Sequence, residues 1–163
     1  MTDLHPGVKA DLDRQGIAYE VMACDPGFAD TAAFCAHYGI PVEDSANTIV
    51  VIGKSNPPSY AACVVLANTR LDVNRTVKQR LGARKASFAS ADETRELTGM
   101  LIGGVTAFGL PEGMPLWVDS RVMERPLVVL GGGNRSSKLK ITPEELRKAA
   151  GLEIVEGLAN PVA

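Results

Sequence analysis

Two nearly continuous runs of β-branched and small apolar residues stand out along the chain. They cover residues 48–52 and 60–66, and the segment between them, 53–58, is rich in glycine and proline. Apolar runs of this length, bounded by turn residues, are typical of strands that are covered on both faces. The pattern therefore predicts two antiparallel neighbouring strands joined by a turn.

Weaker apolar runs predict further strands, and capping residues predict short helices between them. The additional strands cover residues 17–22, 86–89, 115–119 and 125–130. The predicted helices start near Pro6, Asp30, Asp72, Ser90 and Thr142, and each ends before a glycine, the last at position 151. Residues 101–110 are apolar but glycine-rich, which predicts a strand that passes into a loop.

The order of these elements indicates the fold class. Strands that follow one another directly, with short helices between some of them, favour a mixed sheet over a doubly wound parallel sheet. A chain of 163 residues, 45% hydrophobic and 22% charged, has the size and composition of one domain with a buried core. We expect residues 1–163 to form a single α/β domain with a mixed, partly barrel-like sheet surrounded by short helices.

Composition argues against several classes of protein. The sequence lacks both a run of about 18 apolar residues and the basic and apolar blocks of a signal peptide, so we expect a cytoplasmic protein without a membrane span. Cys24, Cys35 and Cys63 are odd in number and widely spaced, which predicts reduced thiols in the core. With only His5 and His37 the chain lacks a metal-ligand pattern, and neither a metal nor a cofactor is expected.

Charge is unevenly distributed along the chain. Residues 70–85 contain six basic residues and the single acid Asp72, a net charge of +5, whereas the whole chain carries −2. Two interpretations of this segment remain open. It is either a solvated helix face or a surface that contacts phosphates.

Two glycine clusters, Gly103-Gly104 and 131–133, are candidates for chemistry. Backbone amides without side chains can surround an anion. A β-bulge at the first cluster and a tight turn at the second explain the glycines equally well. Asp119, at the end of a predicted strand, fits either a polar site residue or the first residue of a turn.

Four short segments occur in a recognisable order. They are Leu-Gly-Ala-Arg-Lys at 81–85, Thr-Gly-Met-Leu-Ile-Gly-Gly-Val-Thr at 98–106, Val-Asp at 118–119 and Val-Leu-Gly-Gly-Gly at 129–133. Together they resemble the YbaK/ProX family, the free-standing relatives of the editing domain of prolyl-tRNA synthetase. The resemblance extends from about residue 8 to about residue 155. It implies the same fold and the hydrolysis of the ester that joins a wrong amino acid, commonly cysteine or alanine, to tRNA for proline.

The resemblance also implies roles for individual residues. The loop with Gly103 and Gly104 would lie against the terminal adenosine and the aminoacyl carbonyl, because unobstructed backbone amides can stabilise the oxyanion of ester hydrolysis. Thr106 would line the amino-acid pocket, and Asp119 would hold the loop or the substrate. The full set of implied substrate-binding residues is Thr106, Ala107, Asp119, Gly131 and Gly132.

Two residues depart from the family pattern. Family deacylases carry a lysine at the entrance to the first long strand, where this chain has Asn47. Asn47 can donate a hydrogen bond to a carbonyl but contributes no charge, so we expect weaker oxyanion stabilisation or a different substrate. The glycine loop usually ends in proline, and Ala107 at that position predicts a looser loop that places its amides less accurately.

Under this interpretation the chain acts in trans on tRNA, without a cofactor, and a synthetase is a further candidate partner. The basic segment then has a purpose, because tRNA supplies phosphates. The implied tRNA-binding residues are Arg75, Lys78, Arg84 and Lys85. The alternative is a binding module of the same fold, which recognises an aminoacyl-adenosine-like ligand or a synthetase without turnover.

Overall fold

The computed structural model describes residues 3–162, which contain five α-helices and ten strands. The helices are α1 Pro6–Arg14, α2 Thr31–Tyr38, α3 Lys78–Leu81, α4 Ala91–Thr98 and α5 Pro143–Leu146. The strands are β1 Glu20–Ala23, β2 Ala46–Gly53, β3 Ser59–Leu66, β4 Thr69–Leu71, β5 Ala86–Phe88, β6 Leu116–Asp119, β7 Val128–Gly131, β8 Ser137–Ile141, β9 Leu152–Val155 and β10 Ala159–Pro161. No helix within 3–162 has the length and apolar character needed to cross a membrane.

A five-stranded sheet in the order β5-β2-β3-β6-β9 forms the centre of the fold. β2 and β3 pair antiparallel along their whole length, from Ala46 opposite Leu66 to Gly53 opposite Ser59, which confirms the predicted hairpin. β6 lies parallel to β3, and β9 lies parallel to β6. The sheet is therefore mixed, as expected.

A second, antiparallel sheet in the order β1-β8-β7 stands beside the first. A single parallel bridge between Ser45 and Val129 joins β7 to the chain just before β2. β4 and β10 pair with each other in a third, two-stranded sheet. Because only this bridge links the two larger sheets among the described strands, the sheet does not close into the partial barrel that was expected.

The central sheet is covered on both faces, because its buried side chains alternate between two clusters. Val50, Val64 and Val118 point into the larger cluster, under α1. Val51, Cys63 and Trp117 point into the other. The helical segment that starts with a π-helical turn over Val73–Val77 and continues as α3 covers this second cluster.

The cysteines are free and buried, as predicted. Burial also raises the pKa of the Cys63 thiol to about 12. Since the thiolate is the reactive form of cysteine, Cys63 is a packing residue rather than a nucleophile.

Several elements differ from the predictions. Four short strands, β4, β8, β9 and β10, were not predicted. The last helix ends at Leu146 rather than at Gly151, and the Ala150 amide donates instead to the side-chain oxygen of Gln15 at 2.6 Å. The strand predicted over 17–22 begins three residues later, at Glu20, because residues 15–17 still bond back onto α1.

The packing of the second glycine cluster leads to a first prediction. A Cβ at Gly131 would lie 2.4 Å from the Gly104 carbonyl oxygen and 2.5 Å from that of Val105. Gly131→Ala should therefore lower the free energy of unfolding in urea by about 1–3 kcal/mol. Gly27→Ala is the matched control, because its Cβ would meet only Asp25 Oδ1 at 3.4 Å. Equal losses in both variants would contradict this account.

Candidate functional site

A cavity lies at the edge of β2 where two neighbouring strands separate. β5 pairs with β2 only over 51–53, and β7 meets this edge only at the Ser45–Val129 bridge. Within residues 3–162, the edge between these points has no strand partner, and a cavity of about 320 Å³ occupies the gap. Its polar lining includes Asp30, Thr31, Asn47, Thr48, Thr94 and Lys138.

The unpaired edge of β2 presents hydrogen-bonding groups to the cavity. The Val50 carbonyl accepts from the Ala89 amide at 2.9 Å. Because backbone groups two residues apart in a strand point to the same side, the N–H and C=O of Thr48 face the gap. The buried Thr48 hydroxyl has no hydrogen-bond partner among the described atoms. Buried polar groups are usually paired, so Thr48 marks a place where a polar ligand group fits.

Asn47 lines the same cavity and is oriented by α2. The hydroxyl of Thr31, the first residue of α2, donates to Asn47 Oδ1 at 2.5 Å. This bond occupies the amide oxygen, so the nitrogen is the group that Asn47 can offer to a ligand. Asn47 therefore lines the cavity with an amide nitrogen that can donate but carries no charge.

The two residues of the first glycine cluster have different environments. Gly103 lines the cavity at a φ of +92°. The Gly104 amide donates to the Leu101 carbonyl at 2.9 Å, so it is not available to a substrate. A Cβ at Gly104 would lie 2.0 Å from the Asn134 carbonyl oxygen. The role of oxyanion donor implied for Gly104 is therefore wrong in this conformation, because close backbone packing takes its place.

Arg135 fixes the glycine loop from the side. Its Nη1 donates to the Ile102 carbonyl at 2.7 Å and to Asp30 Oδ1 at 3.0 Å, and its Nη2 donates to the Pro26 carbonyl at 2.9 Å. The Gly104 carbonyl also accepts from the Gly133 amide at 2.6 Å. The looseness predicted from Ala107 is therefore not found, because other contacts hold the loop.

Lys138 is a buried cation in the cavity wall that sequence reasoning missed. Its Nζ donates to the Ala29 carbonyl at 2.8 Å and to the Gly103 carbonyl at 2.7 Å, and lies 5.1 Å from the centre of the Phe34 ring. Burial lowers the pKa of its ammonium below 10.5. Alternation along β8 puts Ser137 and Leu139, both fully buried, on the other face, so the sequence pattern alone predicts a solvent-facing Lys138.

Besides Gly104, four of the predicted catalytic and substrate-binding residues do not line this cavity. Thr106 is fully buried, and Ala107 borders a separate hollow near Pro115. Gly132 packs against Ser137, whose Oγ would lie 2.1 Å from an added Cβ. Asp119 is one residue beyond Val118 on β6 and therefore points to the opposite face of the sheet. The cavity thus brings together only Asn47, Gly103 and Gly131 from the predicted set.

The cavity lies at the C-terminal end of β5, and the basic segment, residues 70–85, ends at the N-terminal end of the same strand. Arg75, Arg84 and Lys85 are exposed, and Lys78 is half-buried. Lys85 directly precedes β5, and Ala89, which directly follows it, lines the cavity. Four residue steps of extended chain, about 13 Å, lead from one to the other. Arg80 in the same segment is occupied by an ion pair with Glu153.

Solved structures share this fold over nearly the whole chain. The crystal structure of hypothetical protein APE2540 matches with a TM-score of 0.83 and 27% identity, covering 94% of this chain and 99% of that one. A candidate trans-editing enzyme for prolyl-tRNA synthetase matches with a TM-score of 0.81 and 22% identity, covering 98% and 100%. Uncharacterized protein YwhH of Bacillus subtilis (strain 168) is 34% identical over 83 residues, which are 51% of this chain and 52% of YwhH.

The family model described as aminoacyl-tRNA editing domain matches residues 25–149. The chain belongs to this family. The matched range contains every residue that lines the cavity at the edge of β2, from Asp30 to Lys138. The aligned part of YwhH is about half of that protein.

The position of Asp119 leads to a second prediction. Burial raises the pKa of its carboxyl group above 3.8, although Arg121 opposes this with its Nη1 3.9 Å from Oδ2. A raised folded-state pKa favours folding below pH 3.8 and opposes it as the pH rises through that pKa. Asp119→Asn should therefore raise the urea midpoint at pH 7, and the gain should shrink as the pH falls towards 4.

The matched control is Asp92→Asn on α4, where the carboxylate side chain is 85% exposed. It should give no such gain. A stability loss in Asp119→Asn at pH 7 would show that the ionised carboxylate is needed by the fold. Because Asp119 lies away from the cavity, the substitution should leave any activity of the cavity unchanged.

Proposed function

We propose that this protein is a trans-acting aminoacyl-tRNA deacylase, which hydrolyses the ester of a misacylated tRNA bound in the cavity at the edge of β2. The observation that carries the proposal is the edge of β2 that is unpaired in the described part of the chain, where the buried Thr48 hydroxyl lacks a partner beside a cavity of about 320 Å³. A pocket of this volume lies in the range used for small ligands. Membership of the editing-domain family supports the same reaction.

The lining of the cavity fits the two parts of an aminoacyl ester. Val50, Val105 and Leu130 provide an apolar wall for an amino-acid side chain. Asn47 and Thr48 provide donors for the ester and the ribose. The glycine at position 103 allows the backbone to approach the substrate closely.

The reaction needs a water molecule and a polarised carbonyl. Water attacks the carbonyl carbon, and the C=O electron pair moves onto oxygen. The tetrahedral intermediate then collapses, the C–O bond to the ribose breaks, and the ribose oxygen takes up a proton to leave as a hydroxyl. The amino acid leaves as a carboxylate and releases the second proton of the water. Fixed donors around the oxyanion lower the barrier of the first step.

The basic segment is the proposed contact for the tRNA backbone. Arg75, Arg84 and Lys85 are exposed, and Lys78 lies between them in the chain. The +5 charge of residues 70–85 contrasts with the acidic remainder of the chain, so a polyanion should approach from this side. The tRNA would then lie on the basic segment with its 3′ end directed along β5 into the cavity.

The third prediction concerns turnover. The protein should accelerate hydrolysis of at least one of alanyl-, cysteinyl- and seryl-tRNA for proline above the uncatalysed rate. Ala89→Leu, which fills part of the cavity, should reduce that rate by about 10-fold or more. Ala150→Leu adds the same atoms at an exposed position and should have little effect. Binding of these tRNAs without any hydrolysis would favour the binding module instead.

The fourth prediction concerns the basic segment. Replacing Arg84 and Lys85 together by glutamate should weaken tRNA binding by about 10-fold or more and make its dependence on the logarithm of salt concentration less steep by about two. Filter binding at several salt concentrations measures both. Arg147→Glu with Lys148→Glu changes the net charge equally at another surface. If this control loses affinity to the same extent, only net charge matters and the basic segment is not the contact.

A further inference from the structure

A buried ammonium group is the chemical feature of the cavity that the fold does not neutralise. Only 7% of Lys138 is exposed. The ion pairs found among residues 3–162 do not include it. The carboxylate of Asp30, which also lines the cavity, is bonded to Arg135 instead. Buried charges are normally paired, because leaving water costs several kcal/mol.

The contacts of Lys138 leave one donor for a ligand. An ammonium group has three N–H donors. The carbonyls of Ala29 and Gly103 take two of them. The third is available to a group in the cavity, which Lys138 lines. A neutral donor would suffice to join the carbonyls of Ala29 and Gly103. The positive charge of Lys138 therefore points to a ligand group in the cavity that carries or develops negative charge.

Other donors line the same space. The Thr48 hydroxyl has no partner among the described residues, and the backbone N–H of the same residue faces the gap. The nitrogen of Asn47 is available because its oxygen accepts from Thr31. A cation with several neutral donors is the arrangement that stabilises an oxyanion in a site closed to water. Asn47 itself brings no charge, so the charge of the site comes from β8 rather than from β2.

We propose that Lys138 is the catalytic cation of this protein, contacting the carbonyl oxygen of the aminoacyl ester and stabilising the negative charge that develops there. The inference rests on the proposed deacylase function and names a residue of its site. Lys138 keeps its proton throughout. The water attacks the carbonyl carbon, the electron pair of C=O moves to the oxygen beside the ammonium, and that pair returns as the bond to the ribose breaks.

The fifth prediction compares lysines on one strand. Lys138→Met should lower the single-turnover rate on the misacylated tRNA that the wild type hydrolyses by about 100-fold or more, since removing one oxyanion donor has an effect of this size. The Kd for the tRNA should change little. Lys140→Met removes the same charge two residues along β8, outside the cavity, and should stay within about twofold of the wild type. Circular dichroism melts establish that each variant is folded.

The pH dependence of the rate distinguishes a catalytic role of the Lys138 charge from a purely structural role of its bond to the Gly103 carbonyl. Burial lowers the pKa of Lys138, so the rate should fall as the pH rises towards 10.5, after subtraction of uncatalysed hydrolysis. Cys24, Cys35, Asp30 and Arg135 are the other ionisable groups acting on this ammonium, and Cys24→Ala and Cys35→Ala should keep the alkaline fall. Lys138→Arg keeps its charge to higher pH, so the alkaline fall of the rate should move to higher pH in this variant.

The outcomes distinguish the two proposals. A wild type that hydrolyses none of the misacylated tRNAs overturns the proposed function, and the role of Lys138 with it. A wild type that hydrolyses one of them while Lys138→Met retains its rate overturns only the inference about Lys138. The pH profile needs no variant to fold. A wild-type rate that stays level up to pH 10.5 overturns the inference even if Lys138→Met is unstable.

Discussion

The candidate site depends on one constraint, which is that two strands share the same edge of β2 without meeting each other. β7 meets this edge at Ser45 and β5 pairs with it from Val51, so no strand within residues 3–162 pairs with the backbone between them. Unpaired buried backbone groups are costly and are normally satisfied by some partner. The cavity at this gap lets a ligand satisfy them, and the side chains around it extend the same set of donors. The incomplete pairing of the sheet thus creates the candidate site.

The cavity also contains an electrostatic conflict. Lys138 supports the glycine loop through the Gly103 carbonyl, but its burial opposes its own charge. A neutral residue of similar volume is often tolerated or stabilising at a buried ionic position. On the proposed mechanism, stability and activity therefore favour different residues at position 138, as is common where a functional group is held in an unfavourable environment. The basic segment shows no such conflict, because its charges are mostly exposed to water.

The sequence predicted the parts of the fold that local pattern determines. The hairpin of β2 and β3 and the capping box at Ser90 were found where expected, because long apolar runs and caps act over neighbouring residues. Strand β8 was missed, since a lysine at every second position looks solvent-facing and no local pattern shows that Ala29 and Phe34 cover Lys138. Of the residues that line the cavity, the sequence pointed to Asn47, Gly103 and Gly131, but it also assigned Gly104 to the substrate. The contact of Gly104 with Asn134 joins residues 30 positions apart, and no local pattern reports such packing.

Arg135 has a consequence for how a ligand would be received. One guanidinium joins the carbonyls of Pro26 and Ile102 and the carboxylate of Asp30, three points on two segments that contribute Asp30 and Ile102 to the cavity wall. Because these segments lose their conformational freedom during folding, the binding of a ligand does not incur the entropy cost of ordering them. Such a rigid rim favours ligands whose shape already matches the opening and discriminates by size at entry. The selectivity of the cavity would thus depend on the fixed width of its opening as well as on the groups that line it.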